Sequence, residues 1–272
     1  MVRCGCDWHS LDASALISLD SGQAFRWKKG SDGLWRGVIS DCLWVLCAEV
    51  MERVEASSPL YAFFNMSLDW EGICKKLSGI DPYLDSALDE FKGLRILKQN
   101  HFETLLSFIV SSCNNIRRIS GIIERFCSFF GKPVLKSVPE GSDVSGLYSF
   151  PRPPELDGVT VRDLECCRMG FRSQYIVDAV EKINSGEVDL EGIERMPFDQ
   201  AKKELMKISG VGDKVASCVL LFSYSFLEAF PKDVWIKRVL ENRIGGKTER
   251  NFGEYAGVAQ QYMFMKARQE KF

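Results

Sequence analysis

Two glycines that flank a single valine constrain the fold of this chain more than any other feature. A helical pattern of apolar residues ends near Ile208, and a second apolar pattern begins at Val215. Glycine readily adopts positive φ, so Gly210-Val211-Gly212 predicts a sharp turn between two helices. Free amides at the start of the second helix can approach a phosphate there, and the helix dipole favours the anion. A plain turn would use the same glycines, so the residues that follow must decide between the two interpretations.

Lys214 lies in the first turn of the second helix, where its positive charge opposes the helix dipole. A nucleophilic lysine needs a pKa below the usual value of about 10.4, and burial and the helix N-terminus would both lower it. Cys218 follows one turn later, and a thiolate there would instead keep the lysine protonated. The sequence leaves both outcomes open. A lysine that only contacts a phosphate is also the commoner role.

Asp233 follows Pro231 and directly precedes an apolar pattern that begins at Val234. An aspartate at this place is typical of a helix N-cap, where the carboxylate accepts backbone hydrogen bonds. Capping alone would explain the residue. A catalytic role would be a second role for the same carboxylate.

Composition and charge limit the function classes. The chain has 272 residues and a formal net charge of −2, so no global positive charge indicates nucleic-acid binding. Basic residues cluster near the Gly-Val-Gly turn, although such clusters are usually solvated helix faces. The absence of a run of about 18 apolar residues, and of an apolar leader, predicts a soluble intracellular protein without a membrane partner.

The ten cysteines show no paired CxxC pattern, and we expect them to be reduced and mostly in the core. Cys4, Cys6 and His9 are three potential metal ligands without a fourth nearby. We therefore expect no metal and no cofactor.

The apolar periodicity changes from that of strands to that of helices near residue 60. Alternating residues predict strands at 23–28, 34–39 and 43–47, joined by hairpin turns that include Ser40-Asp41. A Pro/Gly/Ser-rich connector is predicted at 131–154. We expect an α+β fold with an antiparallel β-sheet lobe at 1–92 packed on a mostly helical lobe at 93–272. Beyond a helical pattern through 60–91, helices are predicted at 101–112, 116–126, 173–183, 198–208, 213–223, 234–242 and 253–268.

Gly210-Val211-Gly212, Lys214 and Asp233 together resemble the helix-hairpin-helix DNA glycosylases. Further motifs match in order over roughly residues 19–268, most of the chain, and resemble the eukaryotic-type 8-oxoguanine DNA glycosylase. Each motif is weak alone, and the set is specific. The resemblance implies that oxidised guanine is flipped out of double-stranded DNA and its glycosidic bond is cut. The further motifs are Ser21–Trp27, Phe102-Glu103, Ser107–Ile109, Ser111-Ser112, Asn114–Ile116, Gly170–Arg172, Tyr255–Gly257, Ala259-Gln260 and Phe264.

The resemblance also implies the chemical roles. Lys214 matches the nucleophile that attacks the sugar C1′, forms a Schiff base and can permit β-elimination. Asp233 matches the carboxylate that stabilises positive charge on the sugar while it caps its helix.

Base recognition is implied in the same way. Gln260 matches the glutamine that hydrogen-bonds the pairing edge of the base, and Phe264 and Cys218 match the two sides that sandwich its ring. Gly22 matches the glycine whose carbonyl accepts the N7 hydrogen found on 8-oxoguanine and missing from guanine. Without the match, Phe264 would be a core aromatic, Gln260 a solvated helix residue and Gly22 a turn residue.

The remaining matches concern DNA. Phe171 matches the aromatic wedge that fills the duplex, and Arg118 and Arg172 match residues that read the estranged cytosine. Asn114 and Asn115 match DNA-contacting asparagines, and the turn at 210–212 holds the backbone. We expect a monomer, and a nuclear location follows from the substrate alone because no clear basic targeting run is present.

Three positions depart from the family pattern. Cys113 replaces the first asparagine of a three-asparagine run, so we expect weaker discrimination of the base opposite the lesion. Trp235 and Ala267 replace a histidine and the aspartate that orients it, so we expect a packing contact in place of a polar phosphate clamp.

Two alternative functions make different predictions for this sequence. Relatives that act on oxidised pyrimidines or adenine mispairs commonly carry a four-cysteine iron–sulfur cluster after the hairpin, but no cysteine follows Cys218 in this sequence. A non-catalytic DNA-binding module would use the hairpin only to hold the backbone, and Lys214 would then be dispensable.

Overall fold

The N-terminal part of the chain forms two small antiparallel sheets. A computed structural model describes residues 8–47, 52–134 and 147–271. β2 (Lys28–Lys29), β3 (Trp35–Ile39) and β4 (Cys42–Leu46) form one sheet in that order, and β1 (Trp8–Leu11) pairs with β5 (Glu52–Glu55) in the other. A 3₁₀ helix at Ala13–Asp20 interrupts the predicted run of strands.

The tight turn between β3 and β4 confirms the predicted hairpin. Ser40 and Asp41 have φ of 49° and 62°, and the register pairs Ile39 with Cys42 across them. Positive φ at both central residues matches the right-handed twist of the flanking strands.

The strand predicted at 23–28 is wrong except at its last residue. Its alternating aromatics pack into the core without a sheet partner: Phe25 meets Phe108 edge-on at 5.5 Å between ring centroids, and Trp27 lies 5.6 Å from Phe63. Gln23 is buried and hydrogen-bonds the backbone of residues 95 and 97. Side-chain burial on two faces therefore produced a strand-like pattern in an irregular segment.

The described residues after β5 are mostly helical, and the helices predicted from periodicity are confirmed. The last one begins later than predicted, because Gly253 (φ 57°, ψ −139°) breaks the helical backbone and residues 249–255 form a 3₁₀ segment. The helices are α1 (Pro59–Phe63), α2 (Trp70–Leu77), α3 (Pro82–Glu90), α4 (His101–Val110), α5 (Ile116–Phe130), α6 (Arg172–Asn184), α7 (Phe198–Leu205), α8 (Asp213–Tyr224), α9 (Val234–Asn242) and α10 (Ala256–Glu270).

Helices α4 and α8 form the centre of the larger core and run antiparallel. His101 at the start of α4 stacks on Tyr224 at the end of α8, with ring centroids 3.9 Å apart. Near the other end of α4, Ser111 meets Lys214 in the first turn of α8. Both helices are buried over most of their length, as apolar residues around the whole circumference predict.

The remaining helices surround this pair. α6 packs on α4, α7 packs on α8, and α10 packs on α3 and α9. Because α3 belongs to this larger core, helices that precede residue 93 also support the helical lobe, and the domain boundary at 92/93 stays a prediction. A second core joins the β strands, α1 and Leu97. The predicted connector at 131–154 lies partly outside the described residues, and its ends are bridged between Pro133 and Tyr148.

The cysteine prediction holds in part. The eight described cysteines are all free thiols, as expected, but only Cys127, Cys167 and Cys218 are buried, and Cys113 and Cys166 are exposed. The potential ligands Cys4 and Cys6, and the side chain of His9, lie outside the described residues. Within the described ranges no three metal-ligating side chains come together. No described helix has the length and apolar character needed to span a bilayer.

The two glycines of the helix-hairpin-helix turn differ, and this difference is testable. Gly210 has φ of 79°, and a methyl group there would lie 2.4 Å from the Tyr175 ring, whereas Gly212 has φ of −93° and open space around it. Gly210→Ala should lower the free energy of unfolding by about 1–3 kcal/mol through strain and overlap. Gly212→Ala, the matched control, should cost about 0.5 kcal/mol as a poorer N-cap. Urea denaturation measures both, and equal losses would contradict this account.

Candidate active site

The helix-hairpin-helix turn presents backbone amides to solvent. Gly212 is the N-cap of α8 and offers no capping side chain, so the amides of the first helical turn depend on water or a ligand. Val211 is buried and anchors the turn, while Gly210 and Gly212 are exposed on either side of it. This is the geometry of an anion-binding helix N-terminus.

Lys214 is half-buried, and its amine contacts the end of α4. Its Nζ donates to Ser111 Oγ at 3.2 Å and lies 5.3 Å from the centroid of the Phe108 ring. The Ser111 hydroxyl donates in turn to the carbonyl of Phe108 at 2.7 Å, so its lone pairs face the lysine. The amine is therefore held in one place by a hydrogen bond and by an aromatic face.

Cys218 lies one turn beyond Lys214 and is buried. Burial raises the pKa of its thiol to about 11, although the neighbouring Lys214 amine works in the opposite direction. The thiol is therefore neutral at pH 7, and Cys218 does not place a thiolate beside Lys214. This settles one of the two outcomes that the sequence left open.

Asp233 caps α9, as predicted: its Oδ1 accepts a hydrogen bond of 2.8 Å from the amide of Ile236. Burial raises the pKa of this carboxyl, while the Ile236 amide and then the Lys214 ammonium favour the charged form. Asp233 and Lys214 are thus electrostatically coupled. The structure brings these two predicted catalytic residues into one site, together with Cys218.

A second group of side chains lies beside α10. A methyl group built on Gly22, which has φ of 79°, would lie 3.4 Å from both the Phe264 ring and the Ile116 side chain. Gln260 is 4% exposed, and its Oε1 is buried without a hydrogen-bond partner among the described residues. A buried acceptor without a partner requires an explanation, and a ligand that donates a hydrogen bond would supply one.

The loop between α4 and α5 links the two groups. Ser111 at its start contacts Lys214, and Ile116 just after it approaches Gly22. The side-chain oxygen of Asn114 accepts a hydrogen bond from the Asn115 amide. The side-chain oxygen of Asn115 accepts one from the Arg118 amide in the first turn of α5. The amide nitrogen of Asn114 also donates to the Val110 carbonyl, at 3.1 Å.

Three residues predicted to contact DNA differ in their exposure. Phe171 is 59% exposed, as a wedge requires, and Arg118 is exposed on α5. Arg172 is only 3% exposed, and its guanidinium donates to the carbonyls of Ser112, Cys113 and Met169. The same guanidinium lies 4.4 Å from the Phe171 ring centroid, so Arg172 braces both the loop and the wedge. Its predicted contact with cytosine stays a prediction.

Known proteins match this chain over most of its length. Residues 11–105 match the N-terminal domain model of 8-oxoguanine DNA glycosylase. A probable N-glycosylase/DNA lyase of Methanothermobacter thermautotrophicus is 33% identical, over 75% of this chain and 72% of the relative. The 8-oxoguanine glycosylase/lyase of Clostridium acetobutylicum, solved with duplex DNA that contains cytosine opposite 8-oxoG, superimposes with a TM-score of 0.84 at 32% identity. The superposition covers 94% of this chain and 92% of that one.

The chain belongs to the 8-oxoguanine DNA glycosylase family. A more distant member, the N-glycosylase/DNA lyase of Arabidopsis thaliana, is 26% identical over 92% of this chain and 76% of its own length. The predicted fold, with a small antiparallel sheet region and a mostly helical remainder, is confirmed by these structures.

Two features of this glycosylase were not predicted from sequence. Ser111 was only part of a motif, yet it is the hydrogen-bond partner of Lys214. Arg172 was predicted to read DNA, yet its donors hold the loop. Both contacts join residues that are far apart in the sequence, so no local pattern predicts them. The polar residues that end α4 are the sequence feature that both contacts share.

The three departures from the family pattern lie in different local environments. Trp235 packs against the larger core, with the Arg238 guanidinium 5.8 Å from its ring, and Ala267 is fully buried. A packing contact therefore exists at Trp235, and its effect on DNA affinity stays a prediction. Cys113 has φ of 50°, a conformation that asparagine tolerates better than most residues.

The backbone at Cys113 makes a stability prediction. Cys113→Asn should raise the free energy of unfolding by about 0.5–1 kcal/mol, because asparagine adopts positive φ at lower cost. Cys166→Asn is the control, since Cys166 is also exposed but is absent from the positive-φ residues. Thermal unfolding of both variants tests this, and an equal change in the two would contradict it.

Proposed function

We propose that this glycosylase removes 8-oxoguanine from double-stranded DNA and then cleaves the abasic site by β-elimination. One observation carries the proposal. Lys214 lies in the first turn of α8, and its amine donates a hydrogen bond to Ser111. The same amine interacts electrostatically with the partly desolvated carboxyl of Asp233. Membership of a family of N-glycosylase/DNA lyases supports the same chemistry.

The chemistry begins with attack by the Lys214 amine. Its nitrogen lone pair forms a bond to the sugar C1′ while the glycosidic bond breaks and its electron pair leaves with the base, which takes one of the two protons of the new ammonium. The Asp233 carboxylate stabilises the positive charge that develops on the sugar. The sugar ring then opens as a C1′=N double bond forms, and O4′ takes the proton from the amine. Loss of a C2′ proton finally expels the 3′ phosphate.

Recognition of the base would use the second group of side chains. The Oε1 of Gln260, to which no described residue donates, can accept a hydrogen bond from the pairing edge of an extruded guanine, and Phe264 can stack on its ring. The carbonyl of Gly22 would accept the N7 hydrogen of 8-oxoguanine. Cys218, with its neutral thiol, would close the other side of the ring.

Contacts with the duplex complete the proposal. Phe171 would fill the gap that the flipped base leaves, and Arg118 would face the opposite cytosine. The amides at Gly210–Gly212 would hold a backbone phosphate. Weaker discrimination of the opposite base, caused by Cys113, also belongs to this proposal, as do the monomeric state and the nuclear location.

Borohydride trapping tests the role of Lys214. The glycosylase mixed with a duplex that contains one 8-oxoguanine should give a covalent adduct when borohydride reduces the Schiff base. Lys214→Gln should abolish the adduct, because the glutamine side chain has no amine that can form a Schiff base with C1′. Lys203→Gln, which removes an exposed lysine on α7, is the control and should leave the adduct intact. An adduct that persists in Lys214→Gln would refute the proposed nucleophile.

The pH dependence of excision tests Asp233. Because burial raises the pKa of this carboxyl, it takes up a proton at a higher pH than an exposed aspartate does, and it then stabilises no positive charge. Single-turnover excision by the wild type should therefore fall more steeply on the acidic side than excision by Asp233→Asn. The variant should be slower by about 100-fold where the carboxylate is charged. Asp199→Asn, on α7, is the control, and identical acidic slopes in wild type and Asp233→Asn would contradict the assignment.

A further inference from the structure

The loop that contains Gly22 is hydrogen-bonded to α10 through two of its backbone carbonyls. The carbonyl of Ser21 accepts a hydrogen bond of 2.7 Å from Gln261 Nε2, and the carbonyl of Asp20 accepts one of 2.6 Å from Arg268. No hydrogen bond from the described residues reaches the carbonyl of Gly22. The Gly22 carbonyl is therefore available as an acceptor among the described residues, unlike the carbonyls of Asp20 and Ser21 before it.

Gln23, the residue after Gly22, is also held by hydrogen bonds. Gln23 is buried, and its side chain donates to the Arg95 carbonyl at 2.8 Å and accepts from the Leu97 amide at 2.9 Å. The Gln23 carbonyl accepts from Gln99 Nε2 at 2.9 Å. The Gly22–Gln23 peptide unit, which carries the Gly22 carbonyl, thus lies between two peptide units that are each held by a side chain from a distant part of the chain.

Anchors on both sides matter because glycine is the most flexible residue. At φ of 79°, Gly22 has a backbone conformation that only its neighbours hold in place. If the Ser21 carbonyl were released, the peptide units around Gly22 could rotate, and the Gly22 carbonyl would no longer have one fixed direction. A recognition group works best when it is oriented before the ligand arrives.

We infer that Gln261 is a positioning residue for base recognition: its amide holds the Ser21 carbonyl, and this fixes the direction of the Gly22 carbonyl. The inference rests on the proposed function, in which that carbonyl distinguishes 8-oxoguanine from guanine. Gln261 is 2% exposed and adjacent to Gln260, whose buried Oε1 has no hydrogen-bond partner within the ranges that the structure describes. One turn of α10 thus carries Gln260, which is available to the base, and Gln261, which fixes the direction of the Gly22 carbonyl.

Two activities of the same enzyme separate positioning from a merely structural role. Excision of 8-oxoguanine needs the base to be recognised, whereas cleavage of a preformed abasic site needs only DNA binding, Lys214 and Asp233. Gln261→Met keeps the volume and removes the donor. It should lower single-turnover excision about tenfold, the loss expected when a buried carbonyl is left unsatisfied, and change abasic-site cleavage by less than about twofold. The binding ratio of 8-oxoguanine to guanine duplexes should fall with excision.

Gln269→Met is the matched control. Gln269 lies on the same helix and also donates its amide, to Glu90 at 2.6 Å, but on the exposed surface. This variant should leave both activities unchanged. If Gln261→Met lowers both activities together, or lowers neither, the inference is wrong. A wild-type enzyme that cleaves abasic sites but does not excise 8-oxoguanine would refute the proposed function itself, and the inference with it.

Gln261→Glu provides a rescue that a structural role does not predict. A protonated carboxyl of the same shape can donate to the Ser21 carbonyl, whereas a carboxylate cannot, and burial favours the protonated form. The ratio of excision to abasic-site cleavage should therefore approach the wild-type ratio at mildly acidic pH and fall as the pH rises. A ratio that does not change with pH in Gln261→Glu would overturn the inference.

Discussion

The antiparallel packing of α4 on α8 is the interaction on which the rest of the structure depends. It places the polar end of one buried helix against the uncapped N-terminus of another, so that Ser111 meets Lys214. The aromatic contact between Phe108 and Phe222, with centroids 5.4 Å apart, lies between the same two helices. Because close-packed cores resist small displacements, this packing fixes the position of the amine with the rigidity of the core itself.

Burial around this helix pair also determines the charges of the site. Because the Cys218 thiol is neutral, the Lys214 amine interacts with the Asp233 carboxylate and not with a thiolate. The Asp233 carboxyl is itself partly removed from water, and its capping bond to the Ile236 amide compensates for part of that loss. A carboxylate held in this way needs little rearrangement when positive charge develops nearby, which is the condition for electrostatic stabilisation.

Local signals predicted the fold well. Periodicity located the helices from α4 to α10, and the glycines at 210 and 212 located the turn, because these features depend on neighbours in sequence. The strand at 23–28 failed for the opposite reason: Phe25 and Trp27 alternate because they pack on distant helices, and no strand pairs with them. The fixed structure of that segment comes from Gln23, whose partners are more than 70 residues away.

The same distinction applies to the site. The capping role of Asp233 could be predicted from its place before an apolar helix, whereas the neutral state of Cys218 depends on burial that no local pattern reveals. Family motifs supplied the identities of Gln260 and Gly22 but said nothing of how the loop at Gly22 is held. Gln260 and Gln261 are chemically identical neighbours, and only the fold distinguishes them. The helix turns the amide of Gln261 toward the Ser21 carbonyl, whereas the oxygen of Gln260 meets no hydrogen-bond donor in the described part of the chain. The proposed specificity therefore depends on what α10 packs against as much as on the residues proposed to touch the base.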